Sequence, residues 1–241
     1  MLAEAQWAEI FGAAKRRGAR WSDGADVAAF KAEVMAALEG DKPLDLARFF
    51  DTMRSGKLLG PVLTAGEVEG CEAIIRACGD WPISWTAYAL ATAYHETAGT
   101  MQPIKEYGGA AYFRRMYDPE GSRPHVARRL GNTKPGDGVT FAGRGYVQLT
   151  GRANYARAER ELGVPLVGEP DLAMKPETAA AIVVRGMGEG WFTGKSLATY
   201  LPWSGKATAA QFKEARRIIN GTDRAADIAT YALAFQKGLT A

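Results

Sequence analysis

Ile83-Ser84-Trp85-Thr86-Ala87-Tyr88-Ala89-Leu90-Ala91-Thr92-Ala93-Tyr94-His95 is the stretch on which the reading of this chain turns. No acidic side chain, glycine or proline interrupts it, so it reads as an apolar helix that must be largely buried. It ends on Tyr94-His95-Glu96-Thr97, which puts one carboxyl group at the end of a rigid element. Burial there disfavours the charged form of a carboxyl, the environment a general acid requires. A surface glutamate at a helix end is the competing reading of the same spacing.

Outward from this helix, apolar positions at helical spacing predict further helices over 46–54, 65–78, 154–162, 176–187, 207–219 and 225–237. Two more amphipathic helices are expected at 5–17 (Trp7, Ile10, Phe11) and 25–38 (Val27, Phe30, Val34, Leu38). Between them and the rest, 40–44 contains Asp41 and Pro43 and breaks the pattern. The expected division is therefore a helical amino-terminal extension of unassigned role, 1–43, and a main domain, 44–241. The exception to helical patterning is 99–145, where Gly108-Gly109, Gly121, Gly131, Pro135-Gly136-Asp137-Gly138 and Gly143-Arg144-Gly145 predict a long irregular segment, more often functional than idle. Within it, 139–141 and 146–149 flank a glycine turn and are expected to pair as a small β-hairpin.

The chain has 241 residues, 47% hydrophobic and 24% charged, a composition that excludes fibrous, coiled-coil and wholly disordered classes. No window approaches a membrane span, and 1–20 carries Glu4, Glu9 and a late basic cluster instead of a secretory pattern. Expression without an export signal is the expectation. Cys71 and Cys78 are too far apart along one helix for a disulfide and read as buried small side chains. With only two histidines, no metal site is expected.

Net charge is +3, yet 101–160 holds eleven Lys and Arg against five Asp and Glu. This basic region reads either as solvated helix faces or as attraction to a polyanionic polymer. Several catalytic motifs fail. His95-Glu96 lacks the second histidine of a zinc protease, because position 99 is glycine. No Gly-x-Ser-x-Gly elbow exists, and Gly143-Arg144-Gly145 has Gln148 where a dinucleotide fingerprint needs its third glycine. Acid-rich chemistry without a metal or a nucleophilic serine or cysteine remains.

Three blocks carry a resemblance. They are His95-Glu96-Thr97-Ala98-Gly99-Thr100-Met101-Gln102-Pro103-Ile104-Lys105-Glu106, then Phe141-Ala142-Gly143-Arg144-Gly145-Tyr146-Val147-Gln148-Leu149-Thr150-Gly151-Arg152-Ala153-Asn154-Tyr155, then Arg217-Ile218-Ile219-Asn220-Gly221. In this order they resemble the motifs of glycoside hydrolase family 19, which holds chitinases and chitinase-like phage endolysins. The compact loops are more similar to bacterial and phage members than to plant ones. The resemblance implies a mainly α, lysozyme-like, two-lobed helical domain with long glycine-rich loops, acting on β-1,4 bonds between amino sugars.

It also implies the site. Glu96 matches the general acid, Glu106 the second carboxyl that activates water, and Thr150 the hydroxyl that helps to hold that water. An N-cap is the other expected role of Thr150. Gln148, Asn154 and Asn220 match residues that hydrogen-bond the sugar, with loop stapling as the alternative. Tyr107, Tyr146 and Tyr155 are candidate stacking surfaces, and His95 a neighbour that orients the site. Asp118, twenty-two residues after Glu96, stands near the plant position of the second acid. It precedes Pro119 and follows Arg114 and Arg115, however, which predicts a solvated turn. The arginine that contacts the acid in plant members has Asp227 as its nearest counterpart, so Arg217 or Arg224 is the expected substitute. An inverting mechanism is implied, with carboxyl groups about 6.5–9.5 Å apart. The expected protein is a monomer that needs no cofactor, binds no nucleic acid and has no stable membrane anchor. Its implied substrate is peptidoglycan, or alternatively chitin, reached after holin-type release or carriage on a particle; a non-catalytic glycan-binding phage structural protein is the reading from another class.

Overall fold

The computed structural model describes residues 44–56 and 58–241, together with Ala8, Val27 and Lys31. The chain divides into two units, Met1–Pro43 and Leu44–Ala241. Ala8, Val27 and Lys31 are helical; the remainder of the two helices expected at 5–17 and 25–38 lies outside the described residues. All that follows concerns the second unit.

Ten α-helices and one two-stranded sheet make up its regular structure among the described residues. The helices α1 (Leu46–Ser55), α2 (Ala65–Cys78) and α3 (Ile83–Glu96) come first. Asp45 caps α1 by accepting from Arg48 N–H at 3.0 Å. The α2 start is a capping box, Thr64 Oγ1 and Glu67 each satisfying the other's backbone N–H. The decisive helix α3 is buried without interruption from Ser84 to Ala93. Its alanines at 87, 89, 91 and 93 have no exposed surface, and small side chains there let neighbouring helices approach closely.

The glycine-rich segment is not wholly irregular. It contains α4 (Ala110–Tyr117), α5 (Pro124–Arg129) and α6 (Asp137–Thr140), all too short for a clear period. The expected hairpin is also placed differently. Strand β1 (Ile104–Lys105) pairs antiparallel with β2 (Arg144–Gly145), Ile104 opposite Gly145, so the sheet joins segments forty residues apart. Val139 lies in α6 instead, and a single bridge between Arg144 and Leu149 closes the tight turn that follows β2.

The chain then forms α7 (Arg152–Leu162), α8 (Pro176–Glu189), α9 (Ala209–Ala215), a 3-10 turn Arg216–Ile218, and α10 (Ala225–Leu239). Helix α10 packs along α3, and α8 along α2. The resulting core takes in Phe49, Ile74, Tyr88, Leu90, Val183, Phe212 and Phe235. Cys71 and Cys78 are free and buried on α2; burial pushes both thiols up, Cys78 to about 12.

One crossing aims the site. After α3 the backbone of Met101 passes so close to Gly70 on α2 that a Cβ there would lie 1.8 Å from the Met101 carbonyl oxygen. Thr97 Oγ1 donates to Ala93 O and accepts from Met101 N–H, while Gln102 Nε2 donates to Gly66 O. The chain between Glu96 and Glu106 is thereby pinned across α2 and delivered into β1.

Candidate active site

Glu96 closes α3 with its side chain 23% exposed. It is not enclosed by apolar groups alone. Arg216, whose side chain is only 2% exposed, donates from Nη1 to Glu96 Oε1 at 2.9 Å and from Nε to Asp223 O at 3.0 Å. The cation comes from the 3-10 turn after α9, 120 residues downstream. This corrects the expectation of Arg217 or Arg224: Arg217 pairs with Glu214, and Arg224 with Asp227. The step from α-helix to 3-10 turn at Arg216 decides which of the two adjacent arginines points inward, and helical periodicity does not report such a step. One oxygen of Glu96 is thus fixed, while Oε2 makes no hydrogen bond among the described residues.

Glu106 follows β1 and is held at both oxygens. Tyr117 Oη donates to Oε1 at 2.7 Å and Gly143 N–H to Oε2 at 3.1 Å. Tyr117 ends α4, with its ring stacked on Phe113 and its own carbonyl accepting from Asn132 Nδ2. Burial, then the hydrogen bond to the Glu106 carboxylate, pushes its phenol well above the usual range, so Tyr117 is a donor at neutral pH. Sequence reading missed Tyr117, because its one signal was an aromatic in the segment taken as loop.

Gly143 brings the remaining groups together. A Cβ built on it would lie 2.7 Å from Gln148 Oε1 and 3.1 Å from both Glu106 Oε2 and Thr150 Oγ1. Three oxygens from three points in the sequence therefore converge where residue 143 has no side chain. Thr150 donates its hydroxyl hydrogen to Gln148 O at 2.8 Å, so its lone pairs face the gap. The N-cap expected of Thr150 is absent: Gly151 occupies that position, without a side-chain cap. Gln148 has φ +53° and donates from Nε2 to Ile104 O and Gly145 O, which ties the turn after β2 to β1.

The family model described as chitinase class I, glycoside hydrolase family 19, matches residues 83–195. That span holds Glu96, Glu106, Gly143, Gln148 and Thr150. Residues 83–195 carry the match to glycoside hydrolase family 19.

Solved structures agree in fold. Chitinase C from Streptomyces griseus HUT6037 has a TM-score of 0.55 at 19% identity, covering 82% of this chain and 76% of that one. A glutamate-to-glutamine mutant of chitinase C superposes with a TM-score of 0.52, also at 19% identity and over the same shares. No curated protein matches the chain.

Within this family 19 framework several expected site residues have other roles. Tyr146 and Tyr155 are fully buried and cannot stack on a sugar. Tyr155 Oη donates to Ala142 O and accepts from Arg144 Nη1, bracing the chain around β2. Asn154 Nδ2 donates to Thr150 O at 2.7 Å, which is loop stapling beneath the site. Tyr107, next to Glu106, is 91% exposed and Asn220 is exposed on the turn after Arg216; both stay accessible to a ligand. His95 is half-buried, its ring 6.4 Å from that of Tyr231.

Asp118 is the other correction. It is 6% exposed, not solvated, and accepts from Gly136 N–H at 2.9 Å and Gly138 N–H at 2.6 Å. Both its oxygens hold the start of α6 to the end of α4. No group of three or more metal-ligating side chains occurs among the described residues.

Proposed function

We propose that this family 19 glycosidase cleaves peptidoglycan, hydrolysing β-1,4 bonds between amino sugars with inversion. Glu96, protonated on the oxygen that Arg216 does not hold, gives its proton to the glycosidic oxygen as the bond from that oxygen to the anomeric carbon breaks. A water on the opposite face loses a proton to Glu106 as its oxygen bonds to the same carbon. Glu96 ends deprotonated and Glu106 protonated, and exchange with solvent resets both.

The convergence of Glu106, Gln148 and Thr150 over Gly143 carries the mechanism. All three present acceptor oxygens, so a water that donates one hydrogen to Glu106 and the other to Thr150 or Gln148 keeps its lone pairs directed at the sugar. Fixing the Glu106 plane by Tyr117 and Gly143 gives that water one orientation, which is where positioned catalysis gains its advantage.

For the substrate, the support is charge. Arg114, Arg115, Arg123, Arg128 and Arg129 on α4, α5 and the loop between them are all exposed, and peptidoglycan is anionic. A lytic enzyme of phage type, acting on the wall after holin-type or particle-borne release, fits this reading. Chitin is the second reading, favoured by the description of the matching family model.

A zymogram of purified peptidoglycan beside chitin, run with Glu96→Gln as control, tests both parts. Wild type should clear peptidoglycan, and Glu96→Gln should lose about 10²–10⁴ in rate. Clearing of chitin alone would overturn the substrate, and retention of a tenth of the activity by Glu96→Gln would overturn the acid.

A further inference from the structure

Among the described residues four large apolar side chains are exposed: Val62, Tyr107, Trp203 and Leu233. Tyr107 adjoins Glu106 in the chain and goes with the site already described. Trp203, 67% exposed, does not. One side of its ring lies on Trp85, with centroids 4.3 Å apart and a tilt of 47°. Trp85 is buried and meets Trp81 edge-on at 5.5 Å. The loop bearing Trp203 is fastened just before it. Ser84 Oγ donates to Pro202 O at 3.1 Å, and Trp85 Nε1 to Leu201 O at 3.4 Å. After it, the Gln236 amide brackets the backbone of Ala207. A tryptophan whose ring rests on Trp85 and whose loop is fastened on both flanks is presented by a rigid scaffold, not left out by a failure to pack.

Trp85 and Trp203 stand at the start of α3 and Glu96 at its end, about 16 Å away along the helix axis. We propose that Trp203 is a stacking platform for a second stretch of the amino-sugar polymer, outside the catalytic cleft. The proposal rests on the glycosidase reading for its ligand class. Tryptophan offers a flat apolar face and a polar rim, which matches a pyranose ring with C–H groups on its faces and hydroxyls at its edge. The exposed apolar area is one ring bordered by half-buried Ser204 and exposed Lys206, far short of the roughly 800 Å² per partner of a stable protein interface. A polymer already held at this platform is confined near the cleft, so capture by the cleft becomes an intramolecular event.

The test uses the full chain made inert by Glu96→Gln, alone and combined with Trp203→Ala or Trp203→Met. Partition onto chitin beads and onto peptidoglycan sacculi is measured for each, with melting temperature. Trp203→Ala should weaken partition onto one or both polymers about three- to tenfold, the scale of one lost aromatic contact. Catalytically intact enzyme carrying the same change should turn over short soluble N-acetylglucosamine oligomers at the normal rate. Trp203→Met keeps an apolar cover over Trp85 but no ring, so it carries the test if the alanine variant does not fold, and it should lose partition likewise. Full retention of partition by the folded variants overturns the platform, as does an equal loss on the soluble oligomers. Retention of a tenth of the activity by Glu96→Gln would sink the acid assignment while leaving the partition result readable.

Discussion

Gly143 shows how little room the candidate site leaves. Its φ lies outside the left-handed region, so alanine there would not strain the backbone. The added methyl would instead meet Gln148 Oε1, Glu106 Oε2 and Thr150 Oγ1. The nearest of these is the far end of a flexible side chain, which can yield cheaply. Gly143→Ala should therefore leave the melting temperature nearly unchanged while lowering turnover about a hundredfold, because displacement of order 1 Å is enough for that. Turnover near wild type would show that the gap over Gly143 is not used. The two candidate second carboxyls separate in the same way. Glu106→Gln should fold normally and lose about 10²–10⁴ in rate. Asp118→Asn should lose about 1–3 kcal/mol of stability by weakening acceptors for two backbone N–H groups, yet keep its activity per folded molecule. A crippled Asp118→Asn that melts normally, beside a mild Glu106→Gln, would reverse the assignment.

At the scale of elements, the loop lobe is held by buried charge. Asp137, 3% exposed at the start of α6, accepts from Thr133 and Lys134 N–H and from Arg152 Nε at 2.8 Å. Burial pushes its carboxyl up, but Arg152 and the two N–H groups together outweigh this and hold it below the usual carboxylate range. A carboxyl lowered in the folded state contributes stability above its unfolded value, near pH 4, and loses it as pH falls through the folded value. Melting followed by circular dichroism should thus be flat down to about pH 5 and fall below about pH 4. Asp137→Asn should melt lower at pH 7, by about 3 kcal/mol for a broken buried pair, and its gap to wild type should close on acidification. Parallel curves would contradict this role for Asp137. These elements were also the least legible in the sequence. Long helices such as α2 and α3 announce themselves by apolar spacing or an unbroken apolar run, and their expected bounds agree with the structure to within a residue. Helices α4 to α6 have at most eight residues, too few for a period between glycines. The partner of β2 lies forty residues upstream, beyond any local signal. Glu96 and Glu106 could be singled out by motif, whereas Arg216 and Tyr117 reach them only through tertiary geometry.

At the scale of the whole molecule, the proposed attraction to an anionic polymer rests on exposed arginines among the described residues. The exposed arginines of α4, α5 and their connecting loop form no ion pair among the described residues, unlike Arg144, Arg152 and Arg216, which are tied to Asp171, Asp137 and Glu96. Unpaired surface cations act through solvent, so their pull on a polyanion must fade with salt. The Debye length falls from about 8 Å at physiological ionic strength to about 3 Å at 1 M. The buried pair at Glu96 is screened far less, so the chemical step should be almost unaffected. Peptidoglycan cleavage is therefore expected to drop severalfold between 0.1 and about 1 M salt, with the loss in the apparent affinity for sacculi and not in the limiting rate. Replacing Arg123, Arg128 and Arg129 together by glutamine should lower cleavage at low salt and flatten the salt dependence, because the charges that salt would screen are already gone. Short uncharged N-acetylglucosamine oligomers supply the internal comparison, since their turnover should ignore both the salt and the three substitutions. If cleavage of sacculi is equally indifferent to salt, the arginine face is only solvated surface. The preference for an anionic wall polymer over chitin then loses its physical support.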